Sequence, residues 1–436
     1  MRRLAQLVLL SGLLSTSAAF AWTAPPFPRI GGNFIGSPQN YDSAAVQTQL
    51  ARYNIVIINT WPGWQSGRSM TLQQVVQNIK AQSPNTLVFN YTLMESLQIV
   101  APGAYDVWAA ERSALNNSTW WLYPVGGGGT PVVSGPSYVT NETLFTPTDS
   151  NGDHFVDWFA KYIVQNIYNP ATALDGIYSD NIFWKPRVDG DWNRDGVTDS
   201  QNNPTVQSWL RQGERQYIND LKSLIPGKYE IGNLSDLGTA GAVFPELTGQ
   251  LNGGFIEGLI GFSWSPETWG GWTTMMASYR QAMAAVASPQ LAMFAQIGSV
   301  TDYQSMRYGL ASCLMDNAYY TFNSSSNYND LPWFDEYNAS LGQATSSPAT
   351  SAWQKGVYRR DFANGIALVN PKGNGAQTVT LETTYRRLSG TQAPSVNSGQ
   401  TTQTVTLQDR DGIILLRMAA QTTTSTPAPP ANISVQ

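Results

Sequence analysis

Short apolar runs that end in a polar residue recur along most of the chain, and stretches with helical spacing separate them. Eight such runs stand out: Ile30–Phe34, Asn54–Ile58, Thr86–Asn90, Asp175–Asp180, Tyr229–Asn233, Gly254–Glu257, Leu291–Gln296 and Asn317–Phe322. Their shortness and apolar content predict buried strands. Helical patterns fall between them at Thr71–Gln82, Trp158–Ile167, Val206–Leu224, Thr268–Ala287 and Tyr303–Met315. Within Val206–Leu224, the side chains Val206, Leu210, Tyr217, Leu221 and Leu224 share one face. Strand and helix alternating eight times predict an α/β fold, a (β/α)8 TIM barrel spanning residues 22–338. An open doubly wound sheet loses support, because no Gly-rich phosphate loop follows any of the runs.

The rhythm then changes. Residues 339–351 are small and polar and read as a linker. Residues 352–418 carry short alternating segments, Gly356–Arg360, Gly365–Val369, Gln377–Leu381, Thr402–Leu407 and Gly412–Arg417, broken by turn signals such as Asn364-Gly365 and Asp411-Gly412. That pattern predicts a small C-terminal antiparallel β-sandwich domain. The Thr/Pro/Ala-rich stretch 419–436 reads as a disordered tail. At the other end, Met1-Arg2-Arg3, the apolar stretch Leu4–Leu14 and the Ala19-Phe20-Ala21 site make residues 1–21 a signal peptide. The expected location is therefore exported, either periplasmic or secreted. No later segment is apolar for long enough to span a membrane.

Composition narrows the chemistry. The net charge is −5 and charged residues make up 13% of the chain, against about 25% in average domains. So few basic residues leave no electrostatic footprint for nucleic acid. One Cys and one His exclude an intramolecular disulfide and a Cys/His zinc site. Cys313 sits in an apolar run and reads as a buried small hydrophobe, and His154 reads as a solvated or capping residue. Chemistry must therefore rest on carboxylates, hydroxyls, amides and aromatics, with no cofactor required.

In a TIM barrel the chemistry lies at the C-terminal ends of the strands. Those ends carry Asn33; Asn59, Thr60 and Trp61; Asn90 and Tyr91; Asp180 and Asn181; Asn233 and Asp236; Glu257; Gln296; and Asn323. Two carboxylates are singled out by position: Asp180 closes the fourth run and Glu257 the sixth. Paired carboxylates without a metal cluster suit glycoside hydrolysis, at about 5–5.5 Å apart for retention or about 6.5–9.5 Å for inversion. Trp61, Trp64, Trp120, Trp121, Trp184, Trp264, Trp269 and Trp272 fall in or near the expected loops, where sugar faces can stack. Candidate substrate contacts are Asn59, Trp61, Asn90, Tyr91, Trp121, Asn181, Trp184, Asn233, Trp264 and Gln296, the partner being a poly- or oligosaccharide. Asp236 and Glu267 are reserve carboxylates. The long connection Tyr91–Leu174, with Trp120, Trp121 and Tyr123, is expected to roof the cleft. A non-catalytic carbohydrate- or wall-binding barrel is the alternative reading.

The segments LDGIYSDNIFW (174–184), GGFIEG (253–258), YGLASCLMDNAYYTFN (308–323) and YRRDFANGIALVNP (358–371) resemble the hypothetical glycosyl hydrolase families of secreted bacterial TIM barrels. Those are related to endo-α-1,4-polygalactosaminidase and α-galactosidase-like barrels. The resemblance implies that Asp180 matches the nucleophile position and Glu257 the acid/base.

Two loops ask for a metal. Asp191-Trp-Asn193-Arg-Asp195-Gly-Val197-Thr-Asp199 matches the start of a calcium loop. Its ligands would be Asp191, Asn193, Asp195, the Val197 carbonyl and Asp199, holding a structural Ca²⁺. Position twelve is Asn202, so the closing Glu of an EF-hand is missing. Asp149–Asp157 is a degenerate echo, with His154 where Gly belongs.

Overall fold

A computed structural model of the chain describes residues 23–36, 40–99, 108–126, 128–235 and 244–418. The expected signal peptide, the tail and Asp236 lie outside the described residues. Eight parallel strands form one sheet in sequence order: β1 (Gly31–Phe34), β2 (Ile55–Ile58), β3 (Leu87–Leu93), β4 (Gly176–Asp180), β5 (Tyr229–Asn233), β6 (Gly253–Ile260), β7 (Leu291–Ile297) and β8 (Tyr319–Asn323). A parallel bridge between Ile30 and Tyr320 closes the barrel, and the Tyr320 N–H donates to the Arg29 carbonyl at 2.8 Å.

The side chains divide by the period-two geometry of a strand. Ile55 and Ile57, Phe89, Tyr178, Ile231, Phe255, Met293 and Tyr319 fill the barrel interior. Their neighbours Val56 and Ile58, Val88, Ile177, Ile256, Phe294 and Tyr320 face the surrounding helices. Being buried on both sides explains the near-continuous apolar runs of the sequence.

The surrounding helices are α1 (Ala44–Leu50), α2 (Leu72–Gln82), α3 (Ala109–Asn117), α4 (Phe155–Ile163), α5 (Pro204–Leu224), α6 (Pro266–Ala285) and α7 (Tyr303–Leu314). Their starts follow local chemistry. Thr71 and Gln74 form a reciprocal capping box at α2. Asn203 caps α5 ahead of Pro204, and Asp302 accepts from the Ser305 N–H at 3.0 Å to start α7. His154 occupies the N-cap position of α4, which then runs into a π-helical turn at Val164–Tyr168. Within α6, Gly271 has φ +72°, so a kink divides it. Short α1 and α3 carry too few periodic positions to show in the sequence.

Beyond the barrel, β9 (Tyr358–Phe362), β10 (Gly365–Asn370), β11 (Gln377–Arg387), β12 (Thr401–Leu407) and β13 (Asp411–Arg417) make one antiparallel sheet ordered β9-β10-β13-β11-β12. β11 bends where its register with β12 shifts. Val379, Leu381, Val405 and Leu407 pack with Ile366, Leu368, Ile413 and Leu415 in a core of their own. The opposite face of β10 and β13 packs on α7. There the buried Arg307–Asp411 ion pair (3.0 Å) joins the two sheets' territories, and Arg410 holds Glu267 at 2.9 Å. Glu267 is thus an anchoring carboxylate away from the cleft. Cys313 is buried in the same region. Among the described residues no helix is long and apolar enough to cross a membrane.

Candidate active site

Alternation along β4 and β6 decides where the two carboxylates point. Tyr178 and Phe255 face the barrel interior, so Asp180 and Glu257, two residues further on, stand over that interior at its mouth. β6 carries an irregularity here: between its pairings with Phe294 and Gln296 of β7 it advances from Ile256 to Ile260. Glu257 sits at the start of this bulge, a device that re-aims a side chain. Gly258 follows at φ +75°, where a Cβ would strike the Trp264 ring at 2.1 Å. Only glycine lets that indole lie against the backbone beside Glu257.

Asn233, at the end of the intervening β5, connects the pair. Its Nδ2 donates to Asp180 Oδ1 at 3.0 Å and to Glu257 Oε2 at 3.2 Å. Its Oδ1 is taken by the Ser235 N–H and hydroxyl at 3.0 and 2.7 Å, which fixes the amide's orientation. Asp180 also accepts from the Tyr91 hydroxyl at 2.7 Å and from the Asn181 N–H at 2.9 Å. Glu257 Oε1 accepts from the Tyr328 hydroxyl. Burial chiefly pushes the Glu257 carboxyl above the usual range, and the Asp180 charge adds to that. The hydrogen bonds from Tyr328 and Asn233 and the charge of Arg187 oppose it. Asp180 itself stays partly exposed.

A cavity of about 650 Å³ opens beside the pair, lined by Glu95, Ser134, Asn181, Ile182, Phe183, Arg187, Asn233, Ser235, Glu257, Trp264 and Trp269. Trp264 and Trp269 are 50% and 63% exposed, and the Trp264 ring stacks on Phe262 with centroids 4.5 Å apart. Glu95 accepts from Asn181 Nδ2 at 3.1 Å, and burial raises its carboxyl too. Arg187 lies over the Phe183 ring at 3.8 Å.

The structure thus brings together Asp180, Asn181, Asn233, Glu257 and Trp264, with Tyr91 bonded to Asp180. It takes others away. Asn90 and Gln296 are buried and used internally. Asn90 pairs with the Thr60 backbone, and Gln296 bonds Ser305 and the Tyr320 hydroxyl. Their neighbours Phe89 and Ala295 face the interior, so by alternation Asn90 and Gln296 face the helices. Trp121 is 2% exposed with its Nε1 on Asn116, and Trp120 and Tyr123 are also buried. They are core of the β3–β4 excursion and do not roof the cleft. Asn59 binds the Ile35 carbonyl, Trp61 packs against the core, and Trp184 stacks on Phe244; none of them lines the cavity.

Glu95, Arg187 and Tyr328 escaped the sequence reading. Extending the third run to its observed end at Leu93 would have left Glu95 two residues past the strand. Tyr328 and Arg187 lie on loops and carry no periodic signal.

Among the described residues, no three His, Cys, Asp or Glu side chains converge as a metal site. In the 191–199 loop, Asp195 Oδ2 accepts from Asn193 Nδ2 at 2.9 Å, and Asp199 Oδ2 from the Trp192 and Asn193 N–H groups.

No curated protein sequence matches the chain significantly. Among solved structures, an α-amylase from Anoxybacillus is similar with a TM-score of 0.46 and 9% identity, covering 90% of this chain and 98% of that one. The glycoside hydrolase domain of PelA from Pseudomonas aeruginosa gives 0.41 and 12%, covering 71% and 98%. The α-galactosidase AgaA from Geobacillus stearothermophilus gives 0.44 and 10%, covering 91% and 56%. The model of hypothetical glycosyl hydrolase family 15 matches residues 80–366, a span that contains both carboxylates and most of the barrel. The chain belongs to hypothetical glycosyl hydrolase family 15 and is a glycoside hydrolase.

Proposed function

We propose that the protein is an exported, retaining glycoside hydrolase in which Asp180 is the nucleophile and Glu257 the acid/base. One observation carries this reading: a single amide nitrogen, Asn233 Nδ2, bonds both carboxylates, at 3.0 and 3.2 Å. A shared donor keeps one oxygen of each carboxylate close to the other, which supports the narrower spacing of retaining enzymes over the wider gap that an inverting enzyme leaves for water. Glu257, its carboxyl raised by burial, suits protonation of the leaving oxygen, after which its carboxylate activates water. Tyr91, Asn233 and the Asn181 N–H orient Asp180 for attack on the anomeric carbon. Trp264, beside Glu257, offers an apolar face to a sugar ring.

Export rests on residues 1–21, and a secreted form starting at Trp22 is expected by N-terminal mass analysis of the culture medium or periplasm. The substrate is an oligo- or polysaccharide, to be found by a glycan-hydrolysis screen. NMR of the first product formed then tests the mechanism: retention at the anomeric carbon supports it, and inversion overturns it.

A further inference from the structure

We propose that the Asp191–Asp199 loop binds one Ca²⁺ ion and so fastens the loop after β4 to the long excursion between β3 and β4. The carrying observation is Asp191. It is 2% exposed, and its Oδ1 has no hydrogen-bond partner. A buried carboxylate oxygen left unpaired is expensive, and a cation satisfies it directly. The other oxygen, Oδ2, accepts from the Gly196 N–H at 3.0 Å within the loop and from the Gly126 N–H at 2.7 Å in the excursion. With Oδ2 held by these two N–H groups, Oδ1 is the oxygen left for an ion.

The remaining donors follow the same division of labour. Asn193 Oδ1 accepts from the Asp195 N–H at 3.1 Å, and Asp195 Oδ1 from the Val197 N–H at 2.9 Å. Asp199 holds the Trp192 and Asn193 N–H groups through Oδ2 alone. Asp195 is exposed, so exchanging its contact with the Asn193 amide for an ion needs only side-chain rotation. The donors are all oxygens, a set that fits the adaptable oxygen coordination of Ca²⁺ better than the rigid octahedron of Mg²⁺. The echo loop differs: its Asp153 already holds the Lys161 ammonium at 2.6 Å, so it needs no metal.

The consequence reaches the cleft. Besides the Gly126 bond, others already cross to the excursion, among them the Asp191 N–H to Tyr123 O (2.8 Å), Arg194 to Thr119 O (2.7 Å) and Thr198 to Pro124 O (2.7 Å). Residues Phe183 and Arg187 of the cavity wall lie on the same β4 loop.

Trp192, buried between two of the ligands, provides the readout. Full-length protein stripped with EDTA is titrated with Tb³⁺ while tryptophan is excited. Expected are saturable Tb³⁺ emission, its displacement by Ca²⁺ but not by equal Mg²⁺, and a higher melting temperature with Ca²⁺ than with EDTA. Asp191→Asn should weaken Tb³⁺ binding at least tenfold, and Asp149→Asn should leave it unchanged. Asp195→Ala, at an exposed position, gives the same answer should Asp191→Asn fail to fold. Absence of saturable emission, unchanged affinity in Asp195→Ala, or equal displacement by Mg²⁺ overturns the proposal.

Discussion

An aspartate stands at either end of β4, and the two have opposite surroundings. Asp175, at the start, forms an ion pair with Lys80 at 2.7 Å and accepts from the Val88 N–H at 2.7 Å. Its backbone also bonds Val88 and Tyr229, so it pins β3, β4 and β5 in register. Asp180, at the other end, accepts only from neutral groups among the described residues, and it shares one of them with a second acid. One end neutralises its charge to hold strands together. The other keeps two acids side by side, an arrangement that favours chemistry over stability. Function thus lies at the C-terminal end of β4 and strand registry at its N-terminal end, a contrast that mutation can break.

The largest effect is expected at the mouth. On a substrate found by screening, Asp180→Asn and Glu257→Gln should each lower kcat by about three orders of magnitude or more, with an unchanged melting temperature. Asp175→Asn should behave in the reverse sense, keeping kcat within a few-fold while losing about 1–2 kcal/mol in denaturant unfolding. Loss of activity in a well-folded Asp175→Asn would show that the wrong end was chosen.

Next comes Tyr328→Phe. The Tyr328 hydroxyl bonds Glu257 and holds its carboxyl down against the upward push of burial. Without that donor the Glu257 carboxyl rises further, so the protonated acid survives to higher pH. The alkaline limb of the kcat/KM profile should therefore move upward, with a loss of about tenfold at the optimum. A limb that moves down, or stays put, would remove Tyr328 from the acid's environment.

The barrel was legible because each of its strands is buried on both faces, as the runs Asn54–Ile58 and Leu291–Gln296 show. Asp180 and Glu257 were legible because each closes such a run. Asn90 and Gln296 also close runs, yet they point at helices. Strand-end position alone does not settle direction, whereas parity with an interior neighbour such as Phe89 or Ala295 does. Trp121 misled because an aromatic in a long connection reads the same whether it forms a wall or a core. Tyr328 and Arg187 reach the cleft by tertiary loop placement, which leaves no local pattern.

A smaller effect is expected from the rim. Trp264→Ala removes a half-exposed indole beside Glu257 and should lower kcat/KM on an oligosaccharide by about three- to tenfold, mostly through KM. An unchanged KM would mean that the ring only covers Gly258.

The smallest effect tests whether an acid raised by burial is confined to the mouth. Glu230, on β5, is buried on the helix-facing side, and neither carboxylate oxygen has a hydrogen-bond partner. Burial raises its carboxyl well above the ordinary value, only partly offset by Lys222. Because the folded protein favours the protonated form, this group's contribution to stability is full below the unfolded glutamate range near 4.5. It is lost as pH rises through the folded value. Gln is neutral at every pH and keeps the shape. Glu230→Gln should therefore melt with the parent in acid and about a degree or two above it at pH 8. A variant that melts lower at pH 8 would mean that Glu230 is held as a carboxylate by the Lys222 charge, and the contrast between the two ends of β4 would not extend along the barrel wall.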